Sequence, residues 1–261
     1  MRVFIFILIS LVLSSCKSKI PVHNEPAVPQ DALQTPTVTP ENVMEASVSL
    51  YNREFANFNI VQHNPDSLLA SHLQIEMIDK ALFDKMQETS VSFWEEDATG
   101  AVKIDTLLTV KTRDTILTFI DDTGDTEMYR TFSYEGRLPV INKFVVLGTY
   151  YEDYGFMLFD TYTGHNTATY QAFPLISPDK RHIVSLHADI YAPQAGEMAI
   201  EKVENGDIIP LLNVRFTNWM PQESFFGADG YLYVSVNHPS QYWRADGEVN
   251  DVHQYIRIKI V

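Results

Sequence analysis

The sequence predicts a mainly β protein, an array of antiparallel hairpin repeats preceded by a small helical part. Residues 155–186, GFMLFDTYTGHNTATYQAFPLISPDKRHIVSL, spell strand, glycine turn, strand, Ser-Pro-Asp turn and strand. The glycine turns then recur. Gly124, Gly164 and Gly206 each follow an apolar run and are spaced about forty residues apart. Near residue 90, moreover, the apolar pattern changes from a spacing of three and four to alternation.

The elements follow in order along the chain. Arg2 precedes an apolar run over 3–13 that is too short to span a bilayer as a helix, which predicts a signal peptide over 1–15. Leu13-Ser14-Ser15-Cys16 resembles the lipobox of bacterial lipoproteins. The resemblance implies cleavage before Cys16, lipidation of its thiol, and attachment to the cell envelope through an N-terminal lipid anchor. In such lipoproteins an Asp after the cysteine favours the inner membrane; Lys17 stands here, which implies the outer membrane. A plain secretory signal with an incidental cysteine is the alternative. Cys16 is the only cysteine, so an intrachain disulfide, a thiolate nucleophile elsewhere and a Cys-ligated zinc are all excluded.

Residues 16–39 carry Pro21, Pro26, Pro29 and Pro36 with few large apolar side chains, the composition of a semi-extended tether. Over 40–89 two amphipathic helices are expected. The first has Thr39 as N-cap, Pro40 at the first helical position and a stripe of Met44, Val48, Tyr51, Phe55 and Phe58. The second starts at Asn64-Pro65-Asp66 and has a stripe of Ile75, Ile78, Leu82 and Met86. Neither stripe has a Lys/Arg border, so both read as faces packed on the sheet that follows rather than on a membrane.

Residues 90–261 form the β-repeat domain. The expected hairpins run from 116–120 to Gly124, from 156–160 to Gly164 and from 198–201 to Gly206. Between them come apolar strands at 144–150, 183–186 and 231–236. A last strand at 255–260 reads as the first half of a further hairpin. The period, and the Ser177-Pro178-Asp179-Lys180 turn that launches a strand, resemble the WD40-like or TolB-like β-propeller blade, and the turn is also similar to one in uncharacterised secreted bacterial proteins. The resemblance implies a propeller-like array, open or of up to four blades, over about 115–261. Its Gly-His and Trp-Asp signatures are missing, and four blades is the lower limit for closure. An open array would need its edge capped, a role the N-terminal helices could fill.

Chemical motifs are scarce. The chain contains no G-x-S-x-G, G-x-x-x-x-G-K, G-x-G-x-x-G or H-E-x-x-H pattern. A formal charge of −15 and the lack of a basic stripe exclude nucleic acid as an expected partner. Three constellations remain. Asp121, Asp122, Asp125 and Glu127 surround Gly124 as hard oxygen donors would in a calcium loop, although a turn needs Asp and Gly for backbone reasons alone; a second acidic turn spans 246–251. No metal or other cofactor is assigned. His187 and Asp189 share one face of a strand and are the residues to suspect in acid–base catalysis, while His182 points to the other. Trp219, Phe225, Phe226, Tyr231, Tyr233, Tyr242 and Trp243 crowd the last third and Tyr150, Tyr151, Tyr154 and Tyr162 the unit before it; of these Trp219, Tyr242 and Trp243, with Arg244 beside them, could bind a sugar or peptide, or the rings could fill sheet cores. The expected function is that of a non-catalytic binding or scaffold module for an envelope protein or a glycan. A hydrolase of envelope polymers is the alternative.

Overall fold

A computed structural model describes residues 58–60, 69–97, 99–124, 127–191 and 195–261. The leader, the tether and nearly all of the first expected helix lie outside these residues. The N-terminal elements are β1 (Phe58–Ile60), β2 (Leu73–Ile78), α1 (Lys80–Gln87) and β3 (Ser90–Val91). Four antiparallel sheets then follow one another in chain order. The first holds β4 (Ala101–Ile104), β5 (Leu107–Lys111) and β6 (Ile116–Ile120). The second holds β7 (Arg130–Leu138), β8 (Lys143–Tyr150), β9 (Tyr154–Asp160) and β10 (Asn166–Tyr170). The third consists of β11 (Leu175–Ile176), β12 (His182–Asp189), β13 (Ala195–Glu204) and β14 (Asp207–Phe216), with β1 added beside β14. The fourth consists of β15 (Met220–Gly227), β16 (Leu232–Asn237) and β17 (Gln254–Ile260), flanked by β3 and β2.

Mainly β, as the sequence predicts, the protein departs from expectation at its N-terminal side. The stripe expected to be one helix is split between two elements. Leu73 and Ile75 alternate with exposed Gln74 and Glu76 along β2, and only Leu82 and Met86 fall in α1. Asp79 caps α1 by accepting from Leu82 N at 2.8 Å, so the chain must already be extended at the position before Lys80. β2 pairs along its length with β17, from Leu73 opposite Ile260 to Ile78 opposite Tyr255. The last strand is therefore not half of an unfinished hairpin, because β2 supplies its second neighbour. Phe58, the last position of the first expected stripe, opens a strand. The edges of the third and fourth sheets are thus covered by strands from the N-terminal side rather than by helices.

The turns follow the sequence more closely. Gly164 (φ +72°) ends the turn between β9 and β10, and Gly206 (φ +89°) the turn between β13 and β14, where the left-handed backbone favours glycine. Gly124 differs from both. β6 pairs only with β5 and β7 with β8, so Gly124 lies on the crossing from the first sheet to the second, where Asp122 and Arg130 form a lone antiparallel bridge. The first of the three expected hairpins is therefore a change of sheet.

The apolar layers explain the strand sequences. One layer joins the first and second sheets through Leu108, Val110, Phe144, Val146, Met157 and Phe159. The next joins the second and third through Leu138, Val145, Leu158, Tyr170, Ile176 and Ile183. The largest joins the third and fourth through residues such as Val184, Leu186, Met198, Leu232, Val234 and Ile256. Val145 and Val146, or Ile183 and Val184, thus point into different layers, and a strand buried on both faces loses its polar alternation. On the far face of the fourth sheet Phe83 of α1 packs on Phe225 and Tyr255 at ring distances of 5.1 and 4.8 Å. Among the described residues no apolar cluster joins the first sheet to the fourth.

Candidate functional site

A cleft of about 840 Å³ opens where the second, third and fourth sheets meet. Its walls come from separate stretches of chain. The β8–β9 turn brings Tyr150, Tyr151, Glu152, Asp153 and Tyr154; the end of β12 brings His187, Asp189 and Tyr191; β15 brings Gln222, and the loop after β16 brings Tyr242. The β8–β9 turn is tied by Tyr150 N donating to Asp153 O at 2.6 Å, which sets three tyrosines around one bend. Tyr151 and Tyr191 are 58% and 67% exposed, so their ring faces are open to a ligand. Burial raises the Tyr154 phenol above its ordinary value, with Tyr242 and Asp153 adding to the shift.

The carboxylates of the cleft have different partners. Asp153 Oδ1 accepts from Tyr154 N at 2.8 Å and from Gln171 Nε2 at 3.1 Å. Asp189 Oδ2 lies 2.8 Å from Arg215 Nη2, and Arg215 also pairs with Glu197. His187, Glu197 and Arg215 stand opposite one another on β12, β13 and β14, and His187 Nε2 is 3.6 Å from Glu197 Oε2. Burial lowers the His187 pKa despite the Glu197 and Asp189 carboxylates, which favours the neutral ring. His187 and Asp189 therefore do line one cleft, but Arg215 binds the carboxylate that would orient or assist the imidazole. Among the described residues no cluster of three or more His, Cys, Asp or Glu side chains could hold a metal ion.

The other suspected residues are dispersed. Trp219, expected among the ligand-binding aromatics, is only 1% exposed and stacks on Phe216 with ring centroids 4.2 Å apart, so it belongs to the core between the third and fourth sheets. Tyr242 is buried but lines the cleft, and Trp243 packs its edge against Tyr242 at 5.1 Å. Arg244 is turned to its own loop, where Asp246 Oδ2 lies 2.7 Å from Nη2. Of the acidic residues around Gly124, Asp121 pairs with Lys103 at 2.6 Å and accepts from Phe132 N at 2.9 Å. Asp122 accepts from Gly124 N at 3.2 Å, and Asp125 lies outside the described residues.

Sequence reading missed Tyr191, Gln222 and Arg215 as parts of the site. Tyr191 follows the suspected His187 and Asp189 closely, which was a usable signal; Gln222 reaches the cleft, and Arg215 reaches Asp189 from behind it, only through sheet pairing and packing. No helix among the described residues is long and apolar enough to cross a membrane. Compared with known protein families, curated proteins and solved structures, the chain matches none.

Proposed function

We propose that this protein is a non-catalytic binding module of the bacterial envelope, held at the outer membrane by a lipid on Cys16, whose cleft engages an envelope protein or a glycan. The observation that carries the reading is the convergence of Tyr150, Tyr151, Tyr154, Tyr191 and Tyr242 on one open cleft. Rigid aromatic faces give contact area at small entropic cost, and neighbouring polar groups fix orientation. Catalysis is left out because Arg215 engages Asp189, the carboxylate that would orient the His187 imidazole. As scaffold, the four sheets act as propeller-like units of an open array, a reading supported by the apolar layers that join each sheet to the next. The lipid anchor is supported by Arg2, the apolar run and the Leu13-Ser14-Ser15-Cys16 sequence.

The test is crosslinking and pull-down from intact envelopes with the wild-type chain and the double variant Tyr151→Ala/Tyr191→Ala. A specific partner or glycan captured by the wild type and lost with the variant is the expected result. Equal capture by both would remove the cleft from the reading. Mass spectrometry of the mature chain tests the anchor separately, with a diacylglyceryl adduct on Cys16 expected and an unmodified thiol counting against it.

A further inference from the structure

The lining of the cleft is one-sided in charge. Glu152, Asp153 and Asp189 contribute carboxylates, and neither a lysine nor an arginine is among the described residues that line it. Arg215 balances Asp189 from behind. Asp153 is met only by neutral donors, Tyr154 N and Gln171 Nε2, and Glu152 enters no ion pair among the described residues. Two negative charges are therefore left facing a tyrosine-walled space.

The rings themselves have a counterpart elsewhere in the molecule. Arg113 lies over Tyr162 at 4.4 Å, Arg257 over Tyr231 at 4.5 Å and Lys80 near Tyr255 at 5.9 Å. Each pairing places a cation against the negative face of a phenol ring. Among the described residues no cation lies over Tyr151, Tyr154 or Tyr191.

We propose that the cleft binds a basic peptide segment of a partner protein, with a lysine or arginine side chain laid on Tyr151, Tyr154 or Tyr191 and its charge met by Glu152 and Asp153. The proposal rests on the binding-module reading and narrows it to one ligand class. A neutral sugar would use the ring faces but leave both carboxylates unmatched. The chain's formal charge of −15 draws any cation towards the protein, so the test must separate the cleft from the general field.

The full chain, purified in detergent, is titrated into the fluorescein-labelled peptide Gly-Lys-Gly-Arg-Gly-Lys-Gly and its neutral analogue, with lysines acetylated and arginine replaced by citrulline. Chitotetraose serves as the neutral glycan probe. The expected result is binding of the basic peptide alone, weakened about tenfold by Glu152→Gln/Asp153→Asn and about threefold or more by Tyr151→Ala. The control Glu88→Gln/Asp207→Asn removes the same charge from exposed positions outside the cleft and should change affinity by less than about twofold. Equal weakening by both double variants would reduce the interaction to bulk charge and overturn the proposal. Binding of chitotetraose in a Tyr151-dependent manner without binding of the basic peptide would overturn it while leaving the binding-module reading standing. No binding of any probe, together with unchanged envelope capture by Tyr151→Ala/Tyr191→Ala, would overturn both.

Discussion

Arg215 Nη2 lies 2.8 Å from Asp189 Oδ2, and the same guanidinium holds Glu197 on the neighbouring strand. One cation on β14 thus keeps two carboxylates of β12 and β13 together, and one of them, Asp189, lines the cleft. Replacing Arg215 by Met would leave those carboxylates facing each other, partly shielded from water. The expected loss is about 1–2 kcal/mol by urea denaturation, discounted for their partial exposure. Arg244→Met, which breaks an exposed pair with Asp246, should cost less than about 0.5 kcal/mol. Similar losses for both would mean that Arg215 does not organise these carboxylates.

The two tryptophans of the last third should separate cleanly. Trp219→Ala removes a ring buried to 1% exposure and is expected to cost about 3–5 kcal/mol. Trp243 is 41% exposed, and its replacement by Ala should cost about 1 kcal/mol or less. Denaturant midpoints of the two variants measure the difference, and a Trp219→Ala protein as stable as wild type would contradict the core assignment.

Asp160 is expected to contribute to acid stability. Burial by itself would raise its carboxyl, but hydrogen bonds from Thr163 N, Lys143 Nζ and Tyr162 N and the Lys143 charge together hold it well below the usual carboxylate range. A carboxyl depressed in the folded state contributes stability that is fully present above its unfolded pKa, about 4, and is lost as pH falls through the folded value. Melting temperature should therefore fall steeply below about pH 4. Asp160→Asn should be less stable than wild type at pH 7 and show a shallower fall in acid. Parallel pH profiles for the two proteins would refute the assignment.

Glycines at positive φ should differ in what replacement costs. At Gly206 (φ +89°) an added Cβ meets nothing within 4 Å, so Gly206→Ala carries only backbone strain, about 1 kcal/mol. Gly136 (φ +110°) sits at an irregularity in the pairing of β7 with β8, where a Cβ would collide with the Glu95 carbonyl and come within 2.7 Å of Trp94 Nε1. Gly136→Ala should cost at least about 2 kcal/mol more than Gly206→Ala, as read by thermal unfolding. Equal costs would show that the Glu95 segment yields without penalty.

Local chemistry was legible in the sequence and long-range pairing was not. The turns at Gly164, Gly206 and Ser177-Pro178-Asp179-Lys180 depend on residues a few positions apart, and all three join strands as predicted. The segment over 73–87 misleads because Ile75, Ile78, Leu82 and Met86 fit a helical spacing. Its first half is set instead by pairing with β17, where Glu76 meets Arg257, 181 residues away. Gly124 misleads for a related reason. A turn residue reports a reversal of the chain but not whether the next strand stays in the same sheet.

By itself, then, the sequence determined the strand-rich class, the positions of most reversals and the apolar strands such as 144–150. Backbone propensity and side-chain burial at neighbouring positions suffice for these. Only the tertiary structure decided which strand pairs with which, that Trp219 lies in the core, and that the tyrosines of the β8–β9 turn meet Asp189, Tyr191 and Gln222 in one cleft. Those facts depend on contacts between residues far apart in the chain, set by how each sheet face is buried against the next rather than by any local pattern.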